Sequence, residues 1–507
     1  MTQRRDPRAP CLIGVGRRTW HPDEVGPDGA PEPLAMWEEV ARGAAADAGA
    51  PQALAELGTL DVVYCQSWEY DDPAARLSER LGATPAAARY SGIGGVVPQV
   101  LATEAAAEIL AGRLDLALVV GAEALATKRR MKKEGRKPEW SHRAAERSPF
   151  PFEAPFHPAE VAHNVFQAYL SFAAYDNARR AHLGRSLDEH RQRLGRLLSP
   201  MTEVAAADPE NAWFPIARTP DELVTVGPDN RMVAYPYTKL MMSIMDVDMA
   251  AAVLLASHET AERLGVPPER RVYLRGWGYA EDPNYLAERR ELWRSPAMGV
   301  ASRAALGAAG VGVDDVAHLD LYSCFASSVA FGADALGLDH QAILEGRRPV
   351  TVTGALPYHG GPGSNYMTHS LAAMAERLRQ DPGSLGVTSG VGMHMTKHAY
   401  AVWSTEPGAL VPPDEAAMAA ELAADLEVVA ITDTVDQATG TVATYTVLHG
   451  RDGAPEWAAI VCDLPDGTRC YGRLEDPDAL ALAEREELVG RTVQLRGADG
   501  GVNLVSL

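Results

Sequence analysis

Two stretches of the chain constrain its fold more than any others. Leu114–Gly121 reads LDLALVVG and Val247–Ser257 reads VDMAAAVLLAS. Runs this short and this continuously apolar fit strands buried on both faces. Further strands are expected at Cys11–Val15, Leu60–Cys65, Arg271–Trp277, His318–Tyr322 and Leu385–Gly390. Helical periods fall between them, at Leu34–Ala48, Asp72–Leu81, Pro98–Leu110, Tyr285–Ala308, Ala326–Leu336 and Met367–Gln380. Strands alternating with helices predict an α/β class with a parallel sheet covered on both sides. At 507 residues there is more chain than one core can organise, and the pattern runs twice, as two halves of similar β/α grammar.

The pattern is interrupted once and then abandoned. Thr127–Pro138 is a basic cluster, and the chain to about Tyr237 is rich in Trp, His, Pro and Arg, with helical pieces at Ala159–Arg180 and Leu187–Ser199. This reads as an insertion outside the sheet. Its basic cluster is either a solvated loop or a contact for the phosphates of a nucleotide-like ligand. Trp213 and Phe214 are expected to pack the insertion onto the core. After Glu406 and a Pro-rich stretch, Val428–Thr432, Thr441–Leu448, Trp457–Asp463, Cys470–Leu474 and Thr492–Leu495 alternate between Gly/Asp turns. Short strands without long helices between them predict a small barrel of OB type.

Charge and cysteines exclude several functions. A net charge of −21 opposes nucleic acid as a partner. Five scattered cysteines form no CxxC or metal-ligand spacing, so reduced thiols in a cytoplasmic protein are expected, with no metal site. No apolar run is long enough for a membrane span, and no leader pattern opens the chain.

The stretch Gly354–Tyr366, GALPYHGGPGSNY, carries the ligand-binding signal. Its glycines let backbone N–H groups approach a ligand, and the helix after it adds partial positive charge. An anionic or oxyanion-bearing ligand such as a thioester suits that combination; a plain strand-to-helix turn is the alternative.

Taken together the segments resemble the thiolase superfamily, in particular thiolase-like proteins with an additional C-terminal domain. CLIGVG, Tyr90–Gln99 (YSGIGGVVPQ) and Gly121-Ala-Glu123-Ala are similar to the family's first half. Ala212–Phe214, Arg218–Pro220, Asn230-Arg231, Pro236–Thr238 and Asp248–Ala251 resemble its loop domain, and Tyr322–Phe325, Gly360–Pro362 and Gly390–His398 its second half. The resemblance implies a five-layered αβαβα fold of two similar halves (residues 8–126 with 238–285, and 286–408), an inserted loop domain (127–237) and an OB-like barrel (425–507). It also implies an acyl-CoA or acyl-carrier thioester as ligand, with coenzyme A not covalently held, a place in lipid metabolism, and a homodimer.

The chemistry departs from the family's. The nucleophilic Cys of a working thiolase aligns with Gly95, the His of its Gly-His-Pro motif with Gly361, and its second Cys near Gly390. Ordinary thiolysis through an acyl-enzyme therefore lacks its groups. Tyr322 takes the position where the family orients a water. Related aldolases use tyrosines near these motifs to cleave a 3-hydroxyacyl-CoA, beside a small OB-type partner; Tyr358 reaches the second such position only if the loop slips.

The remaining candidates each have a plainer reading. Cys324 is an activated thiol or an inert buried one, and His359 an acid/base or a backbone-bonded loop histidine. His394, a catalytic candidate, and His398 lie at helical spacing and could bind metal as a pair, but with no third ligand in view hydrogen-bonding roles are expected. Asn365 either builds an anion hole with Gly360 or caps the helix that follows. Three functions stay open: an acyltransferase-like protein that binds thioesters without thiolase nucleophiles, a carbon–carbon lyase, and a non-catalytic thioester-binding scaffold.

Overall fold

The computed structural model describes residues 6–146 and 156–507. Its strands in chain order are β1 Pro10–Thr19, β2 Thr59–Val62, β3 Ala87–Tyr90, β4 Leu116–Ala124, β5 Met232–Ala234, β6 Tyr237–Thr238, β7 Asp248–Ser257 and β8 Val272–Glu281. There follow β9 Val316–Asp320, β10 Leu385–Gly392, β11 Lys397–Ser404, β12 Gln437–His449, β13 Pro455–Asp463, β14 Arg469–Leu474, β15 Thr492–Ala498 and β16 Val502–Ser506.

Nine of these form one sheet in the order β3-β2-β4-β7-β1-β8-β11-β10-β9. The two halves meet where β1 pairs antiparallel with β8, Cys11 opposite Tyr273. Moving outward on either side, the next two pairings are antiparallel and the next is parallel. The duplication is thus real, and it extends to packing. Gly14 and Gly16 on β1 lie against carbonyls of helix Pro33–Asp47, while Gly276 and Gly278 on β8 lie against carbonyls of helix Pro296–Ala309. A Cβ at any of the four would overlap helix backbone, so glycine sets how closely each outer helix sits on its half-sheet.

The expectation of a parallel sheet is corrected to a mixed one. A continuous apolar run reports burial on both faces and says nothing of strand direction. Here helices Val97–Leu110 and Tyr366–Gln380 pack together between the half-sheets, and the outer helices cover the other faces, giving the layers αβαβα. Gly390–His398 ends one strand and opens another across a tight turn with Met393 and Met395 at positive φ. The helix expected over Tyr285–Ala308 begins only at Pro296, a ready-made first-turn residue behind the capping hydroxyl of Ser295.

The insertion is mainly helical, with helices Ala168–His182 and Leu187–Ala207 and the short β5 and β6. Trp213 and Phe214 do join it to the core, their N–H groups donating to the His359 and Tyr358 carbonyls at 2.8 and 2.9 Å. The arginines of its basic cluster are bound internally. Arg129 pairs with Asp246, Arg130 donates to the Gly26 and Pro27 carbonyls, and Arg136 reaches Asp28.

The C-terminal strands close a barrel in the order β12-β13-β14-β16-β15-β12, with β14 parallel to β16 and helix Pro477–Ala483 between β14 and β15. This is the Greek-key barrel expected. Its membership differs in detail: Val428–Thr432 makes only isolated bridges, and β16 supplies the fifth strand. The barrel is docked rather than tethered. β5 extends it through Ala234 opposite Leu448, the Tyr471 hydroxyl donates to Glu160 at 2.6 Å, and Arg469 donates to the Arg290 carbonyl at 2.9 Å. No described helix is long and apolar enough to cross a membrane.

Candidate functional site

The loop before helix Val97–Leu110, the end of β9, the Gly-rich stretch and the end of β10 converge in the middle layer. A Cβ built on Gly95 would fall onto the Tyr322 hydroxyl and the Val391 carbonyl, with Tyr322 Cζ only 2.7 Å away. A Cβ on Gly361 would stand 2.5 Å from the Ser243 hydroxyl. One on Gly390 would press on Val96 Cα at 3.2 Å. At 95 and 361, where the resemblance puts thiolase catalytic side chains, a Cβ would overlap a neighbour, and at 390 it would make a tight contact.

Tyr322 is buried, its ring edge-on to Tyr366 at 5.5 Å, and burial raises its phenol above the ordinary value. Its backbone is fixed by the Ser389 hydroxyl, which accepts from the Tyr322 N–H at 3.0 Å. Tyr366 in turn is anchored to Thr353 at 2.6 Å, beside Asp320. Asp320 accepts from Ser370 at 2.6 Å and from the hydroxyls of Thr351 and Thr353. This buried hub joins the strand end carrying Tyr322 to the Gly-rich stretch.

Burial weighs on two of the candidate side chains. His359 is fully buried, 3.4 Å from His369, and burial, aided by Arg17, pulls its pKa down to about 3. A ring that stays neutral and so weakly basic is poorly suited to proton transfer near pH 7. Cys324 touches Ser328 at 3.7 Å, and burial pushes its thiol up to about 12. Contacts with Ser328 and the Phe325 backbone only partly offset this, which favours the inert reading of the thiol.

The other candidates scatter around this centre. Tyr358 is buried with its hydroxyl unpartnered. Gly360 turns the chain at φ 105° under Met249 and Trp213. Asn365 does not cap its helix with its side chain: Oδ1 accepts from Thr368 at 2.7 Å, and its buried amide nitrogen is a donor left free among the described residues. His394 sits apart, 2.9 Å from Ser171 of the insertion, its pKa pulled down to about 4 by burial. His398 belongs to a buried ion cluster, 2.9 Å from Asp282, which Arg289 approaches at 3.2 Å.

Glu123, at the end of β4, is the residue that motif reasoning passed over. It is fully buried and accepts from the Gln66 and Ser67 N–H groups at 2.7 and 2.9 Å. Burial pushes its pKa up to about 7. Gly363, at φ 55°, lies against its carboxylate, so the acid braces the Gly-rich stretch. A carboxylate inside an otherwise apolar strand was the available signal. Beside it, Ser364 accepts from the Gly94 N–H at 3.0 Å and ties that stretch to the loop carrying Gly95.

Two mirrored half-sheets around paired central helices, an inserted domain and catalytic slots occupied by neighbours define a protein of the thiolase class without the thiolase constellation. The chain belongs to the SCP2-thiolase-like protein type 1 family. It is 32% identical, over 99% of both chains and with a TM-score of 0.84, to a monomeric member from Mycobacterium smegmatis. The family model for the thiolase-like protein type 1 additional C-terminal domain matches residues 420–500. The fold is also that of the Ltp2–ChsH2 (DUF35) aldolase, at 17% identity and TM-score 0.59 over 79% of this chain and 99% of that one. It is shared with the dimeric peroxisomal thiolase of Saccharomyces cerevisiae, at 15% and 0.54 over 79% and 98%. No curated protein matches the chain.

Proposed function

We propose that the chain binds an acyl-CoA or carrier-bound acyl thioester at the convergence of Gly95, Tyr322 and the Gly-rich stretch, and forms no acyl-enzyme. The observation carrying this reading is that Tyr322 with the Val391 carbonyl, and Ser243, occupy the spaces that side chains at 95 and 361 would need, while Val96 crowds position 390. The buried Asn365 amide and backbone N–H groups of the glycine loop are the donors suited to a thioester or enolate oxygen. Five cysteines free of disulfides suit a reducing cytoplasm.

A second reading is carbon–carbon cleavage of a 3-hydroxyacyl-CoA. It is favoured by the tyrosine placed at the nucleophile position and by a barrel fused to the same chain. Calorimetric titration with CoA, acetyl-CoA and a 3-hydroxyacyl-CoA, with chromatography of each mixture, separates the readings. Binding without products supports the first, and aldehyde or ketone release that Tyr322→Phe abolishes supports the second. Absence of binding to all three and to an acylated carrier protein would reject both.

A further inference from the structure

Away from the thioester site, a small pocket lies between the insertion and helix Ala326–Leu336. It has a volume of about 30 Å³, and its polar lining is Asp176, Arg179, Arg185, His190, Arg193 and His340. Arg179 is committed to Asp334 at 2.7 Å, and His340 to the same carboxylate at 2.6 Å. Asp176 faces His190 at 3.2 Å. Arg185 and Arg193, by contrast, are half-buried and form no ion pair among the described residues. Unpaired cations are conspicuous in a chain of net charge −21.

Three further observations point to an absent polar ligand. His190 is 3% exposed, and although it faces Asp176, neither ring nitrogen has an aligned hydrogen bond among the described residues. Buried polar groups left open in a native fold ordinarily meet water or an ion. Ala326, the first residue of its helix, lines the pocket, and that end of a helix favours negative charge. Burial, then Arg193 and Arg179, pulls the Arg185 guanidinium below its ordinary value, and the nearby carboxylates of Glu189 and Asp176 only partly offset them.

We propose that this pocket binds an oxyanion of the phosphate-monoester class. Its volume admits a leading oxygen, reached by His190, while Arg185 and Arg193 flank the mouth and supply charge-assisted donors to the other oxygens. Asp176 opposes a fully charged group entering deeply. That places the anion at the mouth, with a water or its own hydroxyl facing the carboxylate. The pocket is separate from the thioester site, its lining sharing no residue with Gly95, Tyr322 or the Gly-rich stretch.

The test uses the full chain with inorganic phosphate as probe, in thermal-shift and calorimetric titrations against chloride at matched ionic strength. A saturable phosphate effect is expected, weakened about tenfold or more in R185Q/R193Q and retained in R347Q, an exposed control. Tyr322→Phe leaves it unchanged, so failure of the thioester reading would not register here. Displacement of phosphate by CoA but not by dephospho-CoA assigns the pocket to a nucleotide-borne phosphate, and displacement by neither assigns it to the free ion. No effect beyond chloride, or an effect that survives the double substitution, overturns the proposal.

Discussion

The hydroxyl of Tyr322 stands where a side chain at position 95 would have to begin. One residue comes from the end of a second-half strand and the other from the loop entering a first-half helix, so the exclusion is built across the two halves.

This relationship predicts a coupling. Gly95→Ala overpacks the site and is expected to cost about 1–3 kcal/mol, measured by urea denaturation. In a Tyr322→Ala background the same change should cost less, with an interaction of about 0.5–3 kcal/mol. Rescue will be partial, because the Val391 carbonyl still meets the new Cβ. Strict additivity would mean that the phenol is not what excludes a side chain.

Glu123 predicts a pH dependence of known sign. Its pKa rises from 4.5 to about 7 on folding. Between those values the native state holds more protons than the unfolded one, so stability falls as pH rises. The loss is fully developed above pH 7 and amounts to roughly 3 kcal/mol, at 1.36 kcal/mol per pKa unit. Glu123→Gln should remove this slope from melting temperature plotted against pH. An unchanged slope would place the effect elsewhere.

His394 acts in the opposite sense. Its folded pKa lies near 4 and its ordinary value is 6.5, so the unfolded chain binds the extra proton between them. Its contribution is intact above pH 6.5 and is lost as pH falls toward 4. His394→Gln should therefore be less acid-sensitive than the parent protein over that window. The windows of His394 and Glu123 overlap, so only the difference between each variant and the parent protein is diagnostic.

Much of the architecture was readable because two-sided burial writes itself as unbroken apolar runs, as in Leu116–Val120. Strand direction was not, since pairing depends on where the chain returns. β16 was missed because Val-Asn-Leu-Val-Ser is short and half-polar, and it becomes a strand only when β14 and β15 flank it. The glycines at 95, 361 and 390 could be placed by motif register. What fills their space could not: Ser243 and Val96 lie far along the chain from the glycines they face, and Tyr322 was assigned its position without its contact.

The barrel dock predicts a further loss. Arg469, 3% exposed, donates to Asp463 at 2.6 Å and to the carbonyls of Arg289 and Arg290. Arg469→Met strands these acceptors and should cost about 2–4 kcal/mol. Barrel unfolding, followed through Trp457 fluorescence, should separate from that of the core. An unshifted single transition would show the dock to be held elsewhere.

The central claim concerns covalency. Intact-mass spectrometry after incubation with acetyl-CoA and acetoacetyl-CoA, at concentrations where calorimetry shows saturation, tests it most directly. The protein's mass is predicted to stay unchanged. An added acyl group traced by peptide mapping to any side chain, Cys324 included, would contradict the account.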